Sequence, residues 1–382
     1  MFKRALALPL AGTSSLFLFG PRGTGKTSWI KQHMPTALCF DLLDFNLYSS
    51  LSANPSKLEQ LIPPTWTDWV VIDEVQRIPA LLNQVHRLIE QRKIRFLLTG
   101  SSARTLRRTG VNLLAGRALR YHMHPLIPQE LADVFSIEHA LQFGLLPMIF
   151  SEHNPAKYLE SYVQTYLREE VLQEGLTRNL GSFTRFLEAA SFSQGQILNM
   201  TEIARELGLN RLMVAQYFDI LDDLLLAVRI SPFTIRAKRK VISHQKFYFF
   251  DCGVYRTVRP RGPLDSVEEA EGAGLETLVL QVLRAVNDYY DLGYTIYFWR
   301  TSTGQEVDFV LYGPQGLHAF EIKRSAVVTS KSLKGLHVFA EEYPEATLHV
   351  LFMGKQPEYH GAITVRPLFE ALMQLPALLR KA

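Results

Sequence analysis

Cysteine is almost absent from this sequence: Cys39 and Cys252 are the only two among 382 residues. Two thiols so far apart in the chain make neither a disulfide framework nor a cysteine zinc cage, and they suit a reducing compartment, so a cytoplasmic location is expected. Long apolar runs are missing as well. None approaches the ~20 residues that span a bilayer, and no membrane partner is expected. One stretch imitates a secretion signal, ALALPLAGTSSLFLFG behind Lys3 and Arg4. Pro9 and the polar Thr13-Ser14-Ser15 interrupt it, and its second half reads as a buried strand instead. Charge of one sign is not in excess: 41 Lys and Arg against 37 Asp and Glu leave +4, short of an electrostatic signature for nucleic acid. Repeats and low-complexity tracts are lacking too.

What is present is an ordinary globular composition, 47% hydrophobic and 20% charged, in a chain longer than one core usually organises. An α/β multidomain fold follows. The short apolar runs SLFLF, ALCFDLL, WVVIDE and FLLTG alternate with helical patterns and read as buried parallel strands of a first domain, residues 1–128. Residues 129–195 carry helical periodicity and read as a lid or connector. Residues 196–240 read as helix, tight turn, helix and the β-rich LLAVRISPFTIR, which suggests a winged helix. Residues 241–382 hold the strand KFYFFD, the helix GLETLVLQVLRAV and the strands YTIYFWR, EVDFVLY and LHAFEIK, a second α/β domain. The pattern PLFEALMQLPALLRK is expected to close it as one amphipathic helix.

The sharpest chemistry lies in GPRGTGKTS, Gly20, Pro21, Arg22, Gly23, Thr24, Gly25, Lys26, Thr27 and Ser28, between a strand and a helix. Its glycines free the backbone to point successive N–H groups at phosphate oxygens. Lys26 would reach the β- and γ-phosphates of ATP, Thr27 would ligate Mg²⁺, and the helix directs its positive end at the anion. In WVVIDEVQ, Asp73 ends a strand where it can hold the Mg²⁺ shell, and Glu74 follows as candidate base for the attacking water. Thr99, Ser101 and Ser102 end the next strand; Ser101 is the preferred γ-phosphate or water contact.

GPRGTGKTS, VVIDEVQ, LLTGSSAR and NLLAGRALRYHMHPLIPQEL, in this order, resemble the AAA+ superfamily, and in particular bacterial and archaeal ATP-binding proteins that join an AAA_14 to a DUF4143 domain. The resemblance implies a homo-oligomer in which an arginine of one subunit completes its neighbour's ATP site; it places Arg117 in that role, with Arg104 as runner-up. A guanidinium there would neutralise charge on the transferring phosphoryl group.

In TEIARELGLNRLMVAQYFDILDDLLLAV two apolar faces flank a glycine-containing turn, which is helix-turn-helix spacing. Asn210, Arg211, Met213 and Gln216 would face outward at the start of the second helix, where DNA contacts are made, although Asp219, Asp222 and Asp223 follow and would repel phosphates. Arg236, Lys238, Arg239, Lys240 and Lys246, interleaved with Phe233, His244, Phe247 and Tyr248, read as a stronger phosphate-contacting stripe.

Glu276 on a helix, Asp308 at the head of a strand, and Glu321 and Lys323 on one face of the next form a spaced acidic set. Asp308 and Glu321 could hold Mg²⁺ or Mn²⁺ while Lys323 stabilises an attacking water or the phosphorane charge. The order GAGLE, FWRTSTGQEVDFVL, AFEIKRS resembles the PD-(D/E)xK nuclease superfamily, whose catalytic positions match Glu276, Asp308, Glu321 and Lys323. The expectation is therefore an AAA+ ATPase acting on structured or branched DNA with a metal-dependent nuclease site. The alternative is an ATP-gated switch that docks a protein partner and carries a catalytically silent nuclease-like domain.

Overall fold

The computed structural model describes residues 2–102, 114, 116–166, 171, 180–235, 244–260, 262 and 267–380. The chain divides into two compact units, Leu6–His124 with Asp223–Leu225, and Met1–Ala5 with Pro125–Asp222 and Leu226–Ala382. Among the described residues, no helix is long and apolar enough to cross a membrane.

The first unit is built on five strands, β1 (Ser15–Phe19), β2 (Leu38–Asp41), β3 (Val70–Asp73), β4 (Phe96–Gly100) and β5 (Ala118–His122). All four pairings are parallel, in the order β2-β3-β4-β1-β5. Every residue of β1, β3 and β4 is buried, as continuous apolar runs in a sheet covered on both faces require. The strand in ALCFDLL differs: β2 is an edge, with Cys39 exposed. β5, which the sequence patterns had not marked, is the opposite edge and largely exposed, so it lacks the apolar signature of its neighbours. Parallel order brings the carboxyl ends of β1, β3 and β4 side by side, where ligands of open α/β sheets bind.

The second unit carries an eight-stranded mixed sheet, β6 (Ala227–Pro232), β7 (Lys246–Phe249), β8 (Thr295–Arg300), β9 (Glu306–Gly313), β10 (Gly316–Lys323), β11 (Thr347–Phe352), β12 (Glu358–His360) and β13 (Ile363–Pro367). Its order is β12-β13-β11-β10-β9-β8-β6-β7. Alternation along β9 sends Phe309 and Leu311 to one core and Val310 to the other, and the bulge between the Tyr297–Val310 and Trp299–Val307 pairs brings Val307 to the side of Val310. The helix Val267–Tyr289 covers the first face with Leu275, Leu278, Val279, Val282, Leu283 and Val286; the helix Ser330–Glu342 covers the second with Leu333, Leu336 and Phe339. Both follow helical spacing.

Three expectations change. The boundary at 240 is not a boundary between compact units, because β6 pairs with β7 and, through Ser231 and Pro232, with β8 of the C-terminal sheet. Residues 2–5 do not belong to the phosphate-loop unit: Arg4 donates to Glu130 at 2.9 Å and to Tyr289 at 2.8 Å, and Phe2 meets Phe150 edge-on. The closing helix is two short helices, Leu368–Met373 and Leu375–Leu378, since Pro376 lacks the N–H that would continue the first and instead opens the second.

A buried carboxylate ties this unit together. Asp251 accepts backbone N–H bonds from Gly253 (2.9 Å), Val254 (3.1 Å) and Leu145 (2.8 Å), capping the helix Cys252–Val258 while holding the turn after the helix Ile137–Phe143. Its full burial pushes the carboxyl up to about 6, against those hydrogen bonds. Gly144 takes φ 76°, and a Cβ there would stand 2.0 Å from Asp251 Oδ1. Replacing Asp251 by alanine strands three buried donors at ~1–3 kcal/mol each. A denaturation series is expected to show a loss of about 3 kcal/mol or more; an unchanged midpoint would contradict this role.

Candidate functional site

The phosphate loop leaves β1 at Gly20, whose N–H donates to Gly100 O at 3.2 Å on the neighbouring strand β4. A Cβ on Gly20 would stand 2.3 Å from Met123 O, so glycine is required by the close backbone approach. Gly23 (φ 83°) and Gly25 (φ 97°) take left-handed backbone, and Gly25 caps the helix Lys26–His33. Pro21 and Thr24 are buried, Thr24 donating to Pro21 O at 2.8 Å, while Arg22, Thr27 and Ser28 are exposed on the open side. Lys26 is 5% exposed, and its ammonium donates to Gly20 O at 2.6 Å, curled over the loop it would share with phosphates.

Two acids meet this loop. Thr27 Oγ1 donates to Asp73 Oδ2 at 2.7 Å, and Thr99 Oγ1 donates to Asp73 Oδ1, so both oxygens of Asp73 are oriented. Glu74 follows in left-handed backbone (φ 61°), strained for a residue with a side chain, with its N–H on Thr99 Oγ1 at 3.1 Å. That turn directs its carboxylate to Ser101 Oγ (2.8 Å), to Gln76 Nε2 and to Lys26 Nζ (4.0 Å). Burial raises the Glu74 carboxyl, but Lys26 and the hydrogen bonds from Gln76 and Ser101 outweigh it and hold it below the ordinary range. It is ionised at neutral pH, as a base must be.

These residues fit a magnesium nucleotide. The glycine cradle leaves room where a Cβ would collide, Thr27 and Asp73 are already in contact, and Gln76 Oε1 is buried without a protein partner beside Glu74. Thr99 and Gln76 act through Asp73 and Glu74; Thr99 was legible as a hydroxyl at a strand end, whereas nothing in VVIDEVQ singled out Gln76. Arg117 donates to Glu90 at 2.5 Å and precedes β5, whose Ala118 pairs with Ser15. That is the amino end of β1, four residues and about 13 Å along the strand from the end carrying the loop. Arg104 lies outside the described residues.

In the second unit, the β9–β10 ladder ends at Phe309 and Phe320, one step short of Asp308 and Glu321. Asp308 Oδ2 accepts from Ile322 N at 2.8 Å where a ladder carbonyl would otherwise stand. Lys323 Nζ pairs with Glu321 Oε1, and Glu321 Oε2 is buried with no hydrogen-bond partner. Tyr248 OH donates to Glu276 Oε2 at 2.9 Å. Burial, then the charge of Asp308, push Glu276 up to about 8 and Glu321 well above its usual range; burial also raises Asp308, against Lys246 and Lys323. Among the described residues no three His, Cys, Asp or Glu side chains gather as a metal-holding group. Asp308 with the orphaned Glu321 oxygen does suit Mg²⁺ or Mn²⁺, since Mg²⁺ commonly takes one or two carboxylates and fills its shell with water and phosphate.

Lys246 corrects the basic-stripe expectation. It is 2% exposed, pairs with Glu306, and faces Glu276 and Asp308. Phe233, Phe247 and Tyr248 are buried too; β7 is the last strand of its sheet, but bridges from Gln194 and Ile197 to Phe247 and Lys246 cover its outer side. Arg236, Lys238, Arg239 and Lys240 lie outside the described residues. The helices Met200–Leu207 and Arg211–Asp223 are joined through Gly208 (φ 63°), and Arg211 and Gln216 are exposed. Asn210 Oδ1 accepts from Met213 N at 2.8 Å, a capping role. Arg229 pairs with Asp219 at 3.0 Å and with Asp222, which offsets two of the carboxylates that would repel phosphates.

Residues 13–132 match the model of the AAA domain, residues 135–265 a domain of unknown function (DUF8612), and residues 271–369 another (DUF4143). The uncharacterized proteins Mb2031c of Mycobacterium bovis and Rv2008c of Mycobacterium tuberculosis are each 25% identical over 333 residues, 84% of this chain and 72% of theirs. Two solved structures show weak likeness. The Aeropyrum pernix ORC1 protein in complex with DNA is 12% identical, with 64% of this chain and 86% of that one covered, at a TM-score of 0.29. Protein VC1899 from Vibrio cholerae is 11% identical, with 96% and 97% covered, at 0.23. The AAA-domain match takes in the phosphate loop, Asp73, Glu74 and Ser101 as one block.

Proposed function

We propose that this chain is a magnesium-dependent AAA+ ATP hydrolase that acts on DNA, with a phosphodiester-cleaving site in its second unit. The convergence of the phosphate loop, Asp73, Glu74 and Ser101 at the carboxyl ends of three parallel strands carries the first part. Loop N–H groups and Lys26 hold the phosphates; Thr27 and Asp73 would hold Mg²⁺, which supplies charge neutralisation at the β- and γ-phosphates. Glu74 accepts the proton of the attacking water, positioned by Ser101 and Gln76. Arg117, too far along the strand to serve its own loop, serves a neighbouring copy in a homo-oligomer, exchanging Glu90 for phosphate.

The second part rests on the buried, unpartnered oxygen of Glu321 beside Asp308. These two would hold Mg²⁺ or Mn²⁺, which would polarise the scissile phosphate, while Lys323 stabilises the charge that develops and Glu276 completes the acidic wall. One observation favours the alternative of a silent domain in an ATP-gated, protein-docking switch: the buried Lys246 already compensates Glu306, Glu276 and Asp308 from within. Incubating branched, duplex and single-stranded DNA with Mg²⁺ or Mn²⁺ separates the two. Wild type is expected to cut at least one substrate. Asp308→Ala and Lys323→Ala are expected to lose roughly tenfold or more of that product, at least the cost of removing an outer-shell partner from a metal site. No product on any substrate would sink the cleavage reading and leave the switch.

A further inference from the structure

A cleft of about 920 Å³ opens in the second unit between the start of the helix Met200–Leu207, Arg211 of the next helix, and the ends of β6 and β8. Its cationic walls are Arg211 and Arg300, and its one lining carboxylate, Glu202, is engaged by Asn199 Nδ2 at 3.0 Å. Hydroxyl and amide groups of Asn199, Thr201, Ser231 and Gln245 make up the rest of its polar lining, and no Phe, Tyr or Trp is among the described residues that line it. Arg300 also pairs with Glu306 at 3.3 Å, and Glu306 pairs with Lys246, which faces Glu276 and Asp308. The cleft is thus linked by two ion pairs to Lys246, whose charge acts on the acidic set.

We propose that this cleft binds the phosphodiester backbone of single-stranded nucleic acid. Arginine forks and uncharged donors around an open polar groove suit phosphate and sugar oxygens. With His244 as the only aromatic ring among the described lining residues, backbone contacts outweigh base stacking, so binding is indifferent to sequence. Size favours the single strand: about 920 Å³ is the scale of a concave ligand pocket, which takes a short stretch of one strand and not the convex outside of a duplex. The chain of ion pairs gives the site a purpose, since a strand held by Arg211 and Arg300 lies beside the residues that would cleave it. The inference rests on the nucleic-acid part of the proposed function.

The test is fluorescence anisotropy of the full chain with labelled dT and rU 20-mers and a 20-base-pair duplex, in EDTA so that no strand is cut. Arg211→Gln removes a cation from an exposed position. Thr201→Glu adds a carboxylate at the first turn of a helix, where it suits the helix dipole, so the fold is retained. Each variant is expected to weaken single-strand binding about tenfold, and Arg211→Gln to reduce the slope of log affinity against log salt by roughly 0.7. Equal binding of dT and rU marks the shared backbone as the ligand; a preference for one identifies the natural source. Wild-type binding that neither variant alters would overturn the cleft while leaving nucleic-acid binding elsewhere intact. Tighter binding of the duplex would overturn the single-strand assignment, and no binding of any probe would overturn both the cleft and the nucleic-acid reading.

Discussion

Lys26→Ala is expected to lower the affinity for MgATP on the order of 10³-fold while leaving the fold in place. Charge-assisted hydrogen bonds to two phosphates are each worth about 1.5–3 kcal/mol, and every 1.4 kcal/mol is tenfold in affinity. The fold should survive because the ammonium's hydrogen bonds go to the carbonyls of Gly20 and Pro21 of the loop itself, and Pro21 O keeps its bond from Thr24 Oγ1 when the ammonium is gone. Calorimetric titration beside a thermal melt separates the outcomes. A lost affinity with an unchanged melt is the expected pair, and an unchanged affinity would remove the phosphate loop from the site.

Glu74→Gln should do the opposite: ATP still binds, and turnover falls by about 10³-fold, within the 10²–10⁴ range of a positioned general base. The amide keeps the shape and can still accept from Ser101 Oγ, but it cannot take a proton. It also removes the negative charge beside Lys26, which stands 4.0 Å away, so nucleotide affinity should hold or rise. Single-turnover phosphate release with a parallel binding isotherm reads both quantities. A turnover drop matched by an equal affinity drop would instead make Glu74 a binding residue.

The phosphate loop was legible because its constraints are local: glycines at fixed offsets, an apolar strand before them and a helix after. β1, β3 and β4 were legible for the same reason, as unbroken apolar runs between turn signals. β5 was not, since an edge strand with Arg120 and His122 has no such run. Partners that come from distant chain positions were the harder case. Gln76 gains its place only when β3 and β4 bring Glu74 to Ser101. Lys246, three residues beyond RKVIS and by sequence a phosphate contact, becomes a buried counter-charge once β7 pairs with β6 and Glu306 arrives from β9. Glu321 and Lys323 fell on one face as strand alternation requires, but the break in the β9–β10 ladder that frees Asp308 belongs to the tertiary structure alone.

Phosphate release from MgATP by the full chain, measured without DNA and with single-stranded, duplex and branched DNA, tests the central claim most directly. The proposed function predicts release that requires Mg²⁺, disappears with Lys26→Ala, and rises with at least one of the DNA forms. No release above the Lys26→Ala background under any of these conditions would contradict it.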